Sequence, residues 1–352
     1  MSATAQERPN YYLLTIARFF AALWVVFVHI PQLAPKEVVA NLTWFDNFIA
    51  KSGGIGVNFF FVLSGYILTK LYPPKFSKRR FYWKRFARIY PAYFVLLLFP
   101  LALYIYRGQL FGVPRVELIA CSVSTIALVH AWIPPFTHTI NGPGWSLSCE
   151  AFFYVMFPFL RGNEQKPSWY LLSAASLLTL SPWIVWHVLT ASWGFGIDPN
   201  RSSLASLPHF PLVAIPDFFF GILIAKLPVP STSRKWLLLL GLLLLTLLCA
   251  ADLPGFATVP CGLIILALSI TKPATELSPS ERAMEYLGHA SYSLYLVHVP
   301  FIKYVSSKGF LSSKLQAAVL ILSAVILSCG AYTLIDKPLF TRLGRMAKRT
   351  AR

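Results

Sequence analysis

The sequence predicts an all-α membrane protein of about ten transmembrane helices, with one additional re-entrant or interfacial segment. Three observations carry that expectation. Of 352 residues, 56% are hydrophobic and only 12% charged, with a mean hydropathy of +0.61; a soluble domain carries about twice that charged fraction. Apolar runs of about 17 residues or more recur along the whole chain, so lipid is the solvent for most side chains. Stretches such as Trp236–Ala251 have no polar face, which a large soluble helical protein would need.

Hydropathy and helix breakers together place spans near 12–33, 54–71, 87–106, 146–160, 168–190, 211–226, 235–252, 255–271, 287–306 and 314–335. The first continues to Pro31 without a small-x-small cleavage pattern, so it reads as a retained span and not a signal peptide. Orientation follows from the basic clusters. Lys70, Lys75, Lys78, Arg79, Arg80, Lys84, Arg85 and Arg88 crowd one connection, and Arg342, Arg345, Lys348, Arg349 and Arg352 follow the last span. Both clusters belong in the cytoplasm, as do both termini, and an even number of spans follows. Segment 116–133, which ends in Pro134-Pro135, is then the re-entrant or interfacial piece. Residues 1–352 read as a single domain, with spans over 12–335 and a basic cytoplasmic tail over 336–352, in a bacterial inner membrane.

The net charge of +18 would raise nucleic acid as a partner of a soluble domain. Here it sits in short loops and is explained by topology, so no nucleic acid is expected. Cys121, Cys149, Cys249, Cys261 and Cys329 are scattered without metal-type spacing and read as packing residues. No metal, haem or permanently bound cofactor is expected.

Ionisable residues inside spans are functional by default, because they are costly there. Arg18 and His29 share a face of the first span, about three turns and roughly 16 Å apart. The bland alternative is that Arg18 snorkels to the interface and His29 is a hydrogen-bonded interfacial residue. In the second span, Gly53, Gly54, Gly56 and Gly65 admit close approach, with helix packing the better reading for Gly65. Asn58 and Ser64 are its polar members. Arg85 and Arg88 are i,i+3 neighbours interleaved with Trp83, Phe86 and Tyr90, a pattern that suits a phosphorylated, aromatic ligand or an interfacial belt. Glu150, about two turns into its span, lies at a depth similar to His29 and would orient it; pairing with Arg18 ranks lower because the depths differ. His289 and His298 read as packing residues, and His130, His138, His187 and His209 have no supporting constellation.

Arg18 and His29, G-V-N-F-F-F-V-L-S-G-Y at 56–66, R-F-A-R-I-Y-P-A-Y at 85–93, W-S-L-S-C-E at 145–150 and S-Y-S-L-Y-L-V-H at 291–298, in this order, resemble the acyltransferase-3 family of integral membrane acyltransferases. The match runs from about residue 10 to residue 340. The resemblance implies a ten-helix domain that moves an acyl group, usually acetyl, from cytoplasmic acyl-CoA to a hydroxyl of an outer carbohydrate such as exopolysaccharide or O-antigen. It also implies that Arg18 and His29 are needed, and that Arg85 and Arg88 form the cytoplasmic mouth. Two departures stand out. The family commonly shows an acid where Asn58 stands, which puts a carboxylate role there in doubt, and a glutamate where Asp336 stands, which is conservative. Many relatives carry a fused SGNH-type domain, whereas this chain ends 17 residues after Ile335, so a stand-alone membrane domain is expected.

The mechanism expected on this basis has acyl-CoA, the co-substrate, bound by Arg85, Arg88 and Arg18. Its pantetheine arm reaches His29, the general base, with Glu150 in support and Asn58 or Ser64 as oxyanion or acceptor contacts. Direct transfer is preferred over an acyl-histidine intermediate. A lipid or small-molecule acceptor and a polytopic transporter or flippase are the alternatives; no symmetric halves favour the latter.

Overall fold

The computed structural model describes residues 10–33, 52–162, 209–251, 253, 256–271, 273–309 and 314–349, and all regular structure among them is helical. The expected span at 168–190 lies outside the described residues. In chain order the helices are α1 (Tyr12–Leu33), α2 (Gly53–Leu71), α3 (Lys78–Leu110), α4 (Arg115–Ile126), α5 (Trp145–Leu160), α6 (Pro211–Ile224), α7 (Arg234–Ala250), α8 (Thr258–Leu268), α9 (Pro279–Ser306), α10 (Lys314–Ala331) and α11 (Lys337–Arg349).

Five helical stretches, Tyr12–Leu33, Gly53–Leu71, Lys78–Leu110, Ser231–Ala250 and Leu315–Arg345, are long and apolar enough to cross a membrane. That makes a multi-pass protein, with fewer full-length spans among the described residues than the ten expected. The difference has a physical basis. Helices α5, α6 and α8 have 16, 14 and 11 residues, so each rises roughly 24 Å or less against a hydrocarbon core of about 30 Å. Helix α9 is long enough, but its first two turns carry Glu281, Arg282 and Glu285. A capping box starts it: Ser278 accepts from the Glu281 amide and the Glu281 carboxylate accepts from the Ser278 amide, with Pro279 at the first helical position.

Two elements are longer than expected. Helix α3 begins at Lys78, with Ser77 accepting from the Arg80 amide, and its 33 residues rise roughly 50 Å. The basic turns before residue 87 are therefore helix, not loop. The basic tail also continues as α11. Leu339, Phe340 and Leu343 form an apolar stripe between the cations, and α11 packs on α3, with Trp83 Nε1 donating to the Leu343 carbonyl at 3.2 Å.

The 116–133 segment folds as the 12-residue α4, about 18 Å long, followed by 3₁₀ turns at His130–Trp132, Pro134–Phe136 and Gly142–Gly144. These turns enter the bundle: Trp132 meets Phe152 edge-on at 5.0 Å, and the buried Pro143 carbonyl accepts from the Tyr295 hydroxyl at 3.1 Å. Helix α5 therefore starts inside the bundle and not at its surface.

Small residues set the tightest helix contacts. A Cβ on Gly65 would lie 2.0 Å from the Phe218 carbonyl oxygen, and one on Gly221 would lie 2.0 Å from that of Val62. Helices α2 and α6 thus meet backbone to backbone, as small-residue seams allow. Gly65 is a packing residue, as its sequence context suggested. Gly288 does the same for α9 against Thr15 of α1, and α1 packs along α9 for much of its length. Beside these seams an aromatic core fills the space between α2, α3, α5 and α6, where Phe153 stacks on Phe218 at 5.0 Å and Phe81 on Phe157 at 5.2 Å.

Candidate active site

Two cavities lie one above the other along the bundle. One contains Arg18, the other His29, and both are walled by Val57, Phe61 and Tyr295. Those three side chains form the partition between them.

The arginine chamber, about 150 Å³, collects Arg18 from α1, Ser64 from α2, Arg85 and Arg88 from α3, Glu150 and Tyr154 from α5, and Tyr292 from α9. Arg88 pairs with buried Asp336 at 3.4 Å and lies over the Tyr292 and Phe340 rings. A five-residue π-helical turn, Tyr332–Asp336, places that aspartate; such turns recur at functional sites. Arg85 has no ion-pair partner among the described residues. Its guanidinium lies over the Tyr72 and Tyr154 rings at 5.8 and 5.7 Å, and its buried Nε carries no hydrogen bond. Arg18 feels attraction from Glu150 and Asp336 and repulsion from Arg88. Three guanidinium groups therefore face two carboxylates, leaving a surplus of positive charge for an anion.

Glu150 stands where the sequence reading did not put it. Its Oε1 accepts from Ser64 Oγ at 3.3 Å and from the Tyr154 hydroxyl, on the arginine side of the partition. Glu150 therefore does not orient His29, and Ser64, which donates to Glu150, also faces away from the imidazole. The cause is the deep start of α5. Ser146 Oγ is 2.7 Å from the Tyr295 hydroxyl at the partition, so a residue one turn further along α5 lies beyond it.

The histidine chamber, about 600 Å³, is lined by His29, Asn58, His138, His209, Asp217 and Lys303, among others. His29 Nδ1 is 2.8 Å from the Val25 carbonyl and 3.3 Å from Nε2 of His298. His298, fully buried, has its own Nδ1 3.0 Å from the Leu294 carbonyl. Carbonyls only accept, so both Nδ1 atoms carry the proton. The His29 N–H is then shared between Val25 and the lone pair of His298, and Nε2 of His29 keeps its lone pair without a hydrogen bond among the described residues. That is the state of a general base. His298 is thus a positioning partner of His29 and more than a packing residue. A signal for it was present: V-H-I-P at 28–31 and V-H-V-P at 297–300 repeat one pattern on the two helices that pack together.

Asn58 does not stand alone either. Its amide donates to Asp217 Oδ2 at 2.7 Å, and Thr258 donates to Oδ1 at 2.6 Å. Asp217, buried on α6, returns to the chamber the carboxylate that Asn58 lacks. His138 and His209 also line this chamber, with Nε2 of His138 3.3 Å from Nδ1 of His209 and Trp145 packed edge-on to His209. The imidazoles at 138 and 209, which showed no constellation in the sequence, form one here. Among the described residues no three of His, Cys, Asp and Glu are grouped to hold a metal ion.

A family model described as an acyltransferase domain matches residues 11–333. The acyltransferase MdmB of Streptomyces mycarofaciens is 28% identical over 94% of this chain and 92% of its own length. The peptidoglycan O-acetyltransferase OatA of Listeria monocytogenes is 28% identical over 78% of this chain, and the O-acetyltransferase OatA of Staphylococcus aureus is 24% identical over 92%. The chain spans 49% and 56% of the length of these two relatives. No solved structure matches the chain.

Proposed function

Since the chain belongs to the acyltransferase-3 family of membrane acyltransferases, we propose that it carries an acyl group, acetyl in the simplest case, from acyl-CoA in the arginine chamber to a hydroxyl of a carbohydrate in the histidine chamber. The observation that supports this most is the stacking of the two chambers across one thin partition: surplus guanidinium charge lies on one side and an imidazole lone pair on the other. With both termini in the cytoplasm of a bacterial inner membrane, the arginine chamber faces the donor pool and the histidine chamber faces outward. The name of the Listeria monocytogenes relative, a peptidoglycan O-acetyltransferase, favours a glycan acceptor.

In this reading the phosphates of the donor meet Arg85 and Arg88, where planar guanidinium groups suit phosphoryl oxygens. The pantetheine arm passes Arg18 toward the partition. Nε2 of His29 takes the proton of the acceptor hydroxyl as its oxygen attacks the thioester carbonyl. The C–O bond forms, the C–S bond breaks, and the proton passes from His29 to the departing thiolate, which leaves as CoA thiol. The Asn58 amide, one hydrogen of which is held by Asp217, has its second hydrogen to offer the developing oxyanion or the acceptor. Glu150 balances Arg18 in the donor path.

The test is release of free CoA by purified protein in nanodiscs given acetyl-CoA and a hydroxyl acceptor. Absence of both acyl transfer and acyl-CoA hydrolysis, in protein shown to be folded, would count against the reading. Arg88→Gln is expected to raise the dissociation constant for acyl-CoA by about tenfold, the value of one charge-assisted contact of roughly 1.5 kcal/mol. Asp336→Asn is expected to produce a smaller change in the same direction, since Arg88 remains but is no longer held; a binding titration reads both. Asp217→Asn is expected to lower turnover with acyl-CoA binding unchanged, because it acts on the other side of the partition.

A further inference from the structure

A third cavity, about 250 Å³, opens beside the histidine chamber between the far ends of α3 and α9. Its walls include Pro100, Tyr104, Phe111 and Tyr304, and two cations, Arg107 and Lys303. Lys303 lines this cavity and the histidine chamber alike, so the two spaces adjoin. Arg107 and Lys303 are near enough to repel each other, and among the described residues neither has an ion-pair partner. A third cation, Lys308, lies over the Tyr304 ring at 5.9 Å.

These charges need an explanation that topology does not supply. The positive-inside rule accounts for the basic clusters at the arginine end, whereas Arg107, Lys303 and Lys308 gather at the opposite end. Large apolar side chains are exposed beside them: Tyr106 and Leu110 are each 66% exposed and Phe111 is 78% exposed, a face suited to lipid tails, next to the exposed Gln109, Arg115 and Glu117. Like charges held together beside a lipid-facing wall call for an anion that arrives from the bilayer, and guanidinium with ammonium favours phosphate.

We propose that this side cavity seats the phosphate of a lipid-linked acceptor, with Arg107 and Lys303 clamping the phosphoryl group, the hydrocarbon chain remaining in the bilayer and the attached sugar entering the histidine chamber. Only the destination of the sugar rests on the acyl-transfer reading above; the phosphate seat stands on its own geometry. The reach is suitable. His298, which touches His29, precedes Lys303 by five residues on α9, roughly 7.5 Å of helical rise, about the span of a sugar unit with its phosphate link. Lys303 thus marks the point where the carrier ends and the acceptor begins.

The experiment measures binding of a radiolabelled polyprenyl monophosphate to the full-length protein in phosphatidylcholine nanodiscs. Saturable binding is expected, with competition by unlabelled polyprenyl phosphate but not by the uncharged polyprenol or by millimolar inorganic phosphate. Arg107→Gln with Lys303→Gln should weaken binding at least tenfold, and Arg107→Lys with Lys303→Arg should restore most of it. Equal competition by free phosphate, or by phosphatidylglycerol, overturns the assignment, as does wild-type binding in the glutamine pair. The competition series uses the unaltered protein, so it decides even if the double variant fails to fold. His29→Gln should bind the lipid normally; if it also retains full acyl transfer, the role given to His29 falls while the phosphate seat stands.

Discussion

Replacing His29 by alanine is expected to lower acyl transfer by about 10²–10⁴-fold, the range over which a positioned general base contributes, with insertion and acyl-CoA binding retained. Tautomers decide the outcome. Each Nδ1 of the His29–His298 pair faces a carbonyl of its own helix, so the proton positions are dictated and Nε2 of His29 is left as a base. Donor binding should persist because the arginines are on the far side of Val57, Phe61 and Tyr295. His298→Gln is expected to cost less and to alter the pH dependence of turnover, since it removes the second acceptor of the His29 N–H without removing the base. CoA release and an acyl-CoA binding isotherm check both; near-normal turnover in His29→Ala would sink the assignment.

Gly65→Ala is expected to destabilise the protein by about 1–3 kcal/mol or more, the cost of overpacking a well-packed contact. The new methyl would stand 2.0 Å from the Phe218 carbonyl oxygen, and backbone cannot rotate out of the way as a side chain can. Gly221→Ala meets the Val62 carbonyl at the same distance and should match it. Both substitutions push the same two helices apart, so the double variant should lose less than the sum of the two singles. Gly330→Ala, where an added Cβ meets nothing within 4 Å, is the control and should leave the unfolding temperature in detergent unchanged. Equal thermal stability of all four proteins would contradict the backbone-to-backbone seam.

Much of the site was legible because the rule that finds it is one of cost. An arginine or histidine in an apolar span must be accounted for, and that alone selected Arg18 and His29. The same rule applied to P-D-F-F-F at 216–220 would have selected Asp217. What no local pattern carries is its partner: Asn58 and Asp217 are separated by 159 positions and meet only because Gly65 and Gly221 let α2 and α6 touch. Glu150 shows a different limit. Counting its depth from the start of its apolar run presumes that helices begin at the surface. The 3₁₀ turns at 130–144 carry the chain inward first, and a shift of about one turn moves a carboxylate from one chamber to the other. Helix α3 erred in the opposite sense, because hydropathy sees the apolar part of a helix and not its basic extension.

The partition of Val57, Phe61 and Tyr295 also has an electrical consequence. Were both chambers open to water on opposite sides of a bilayer, most of the membrane voltage would fall across this short septum. An ion displaced through it would gain about 2.3 kcal/mol per charge for every 100 mV, so an open passage would discharge the cell. Tyr295, tied to Ser146 and Pro143 by its hydroxyl, is the part of this septum held most firmly in place.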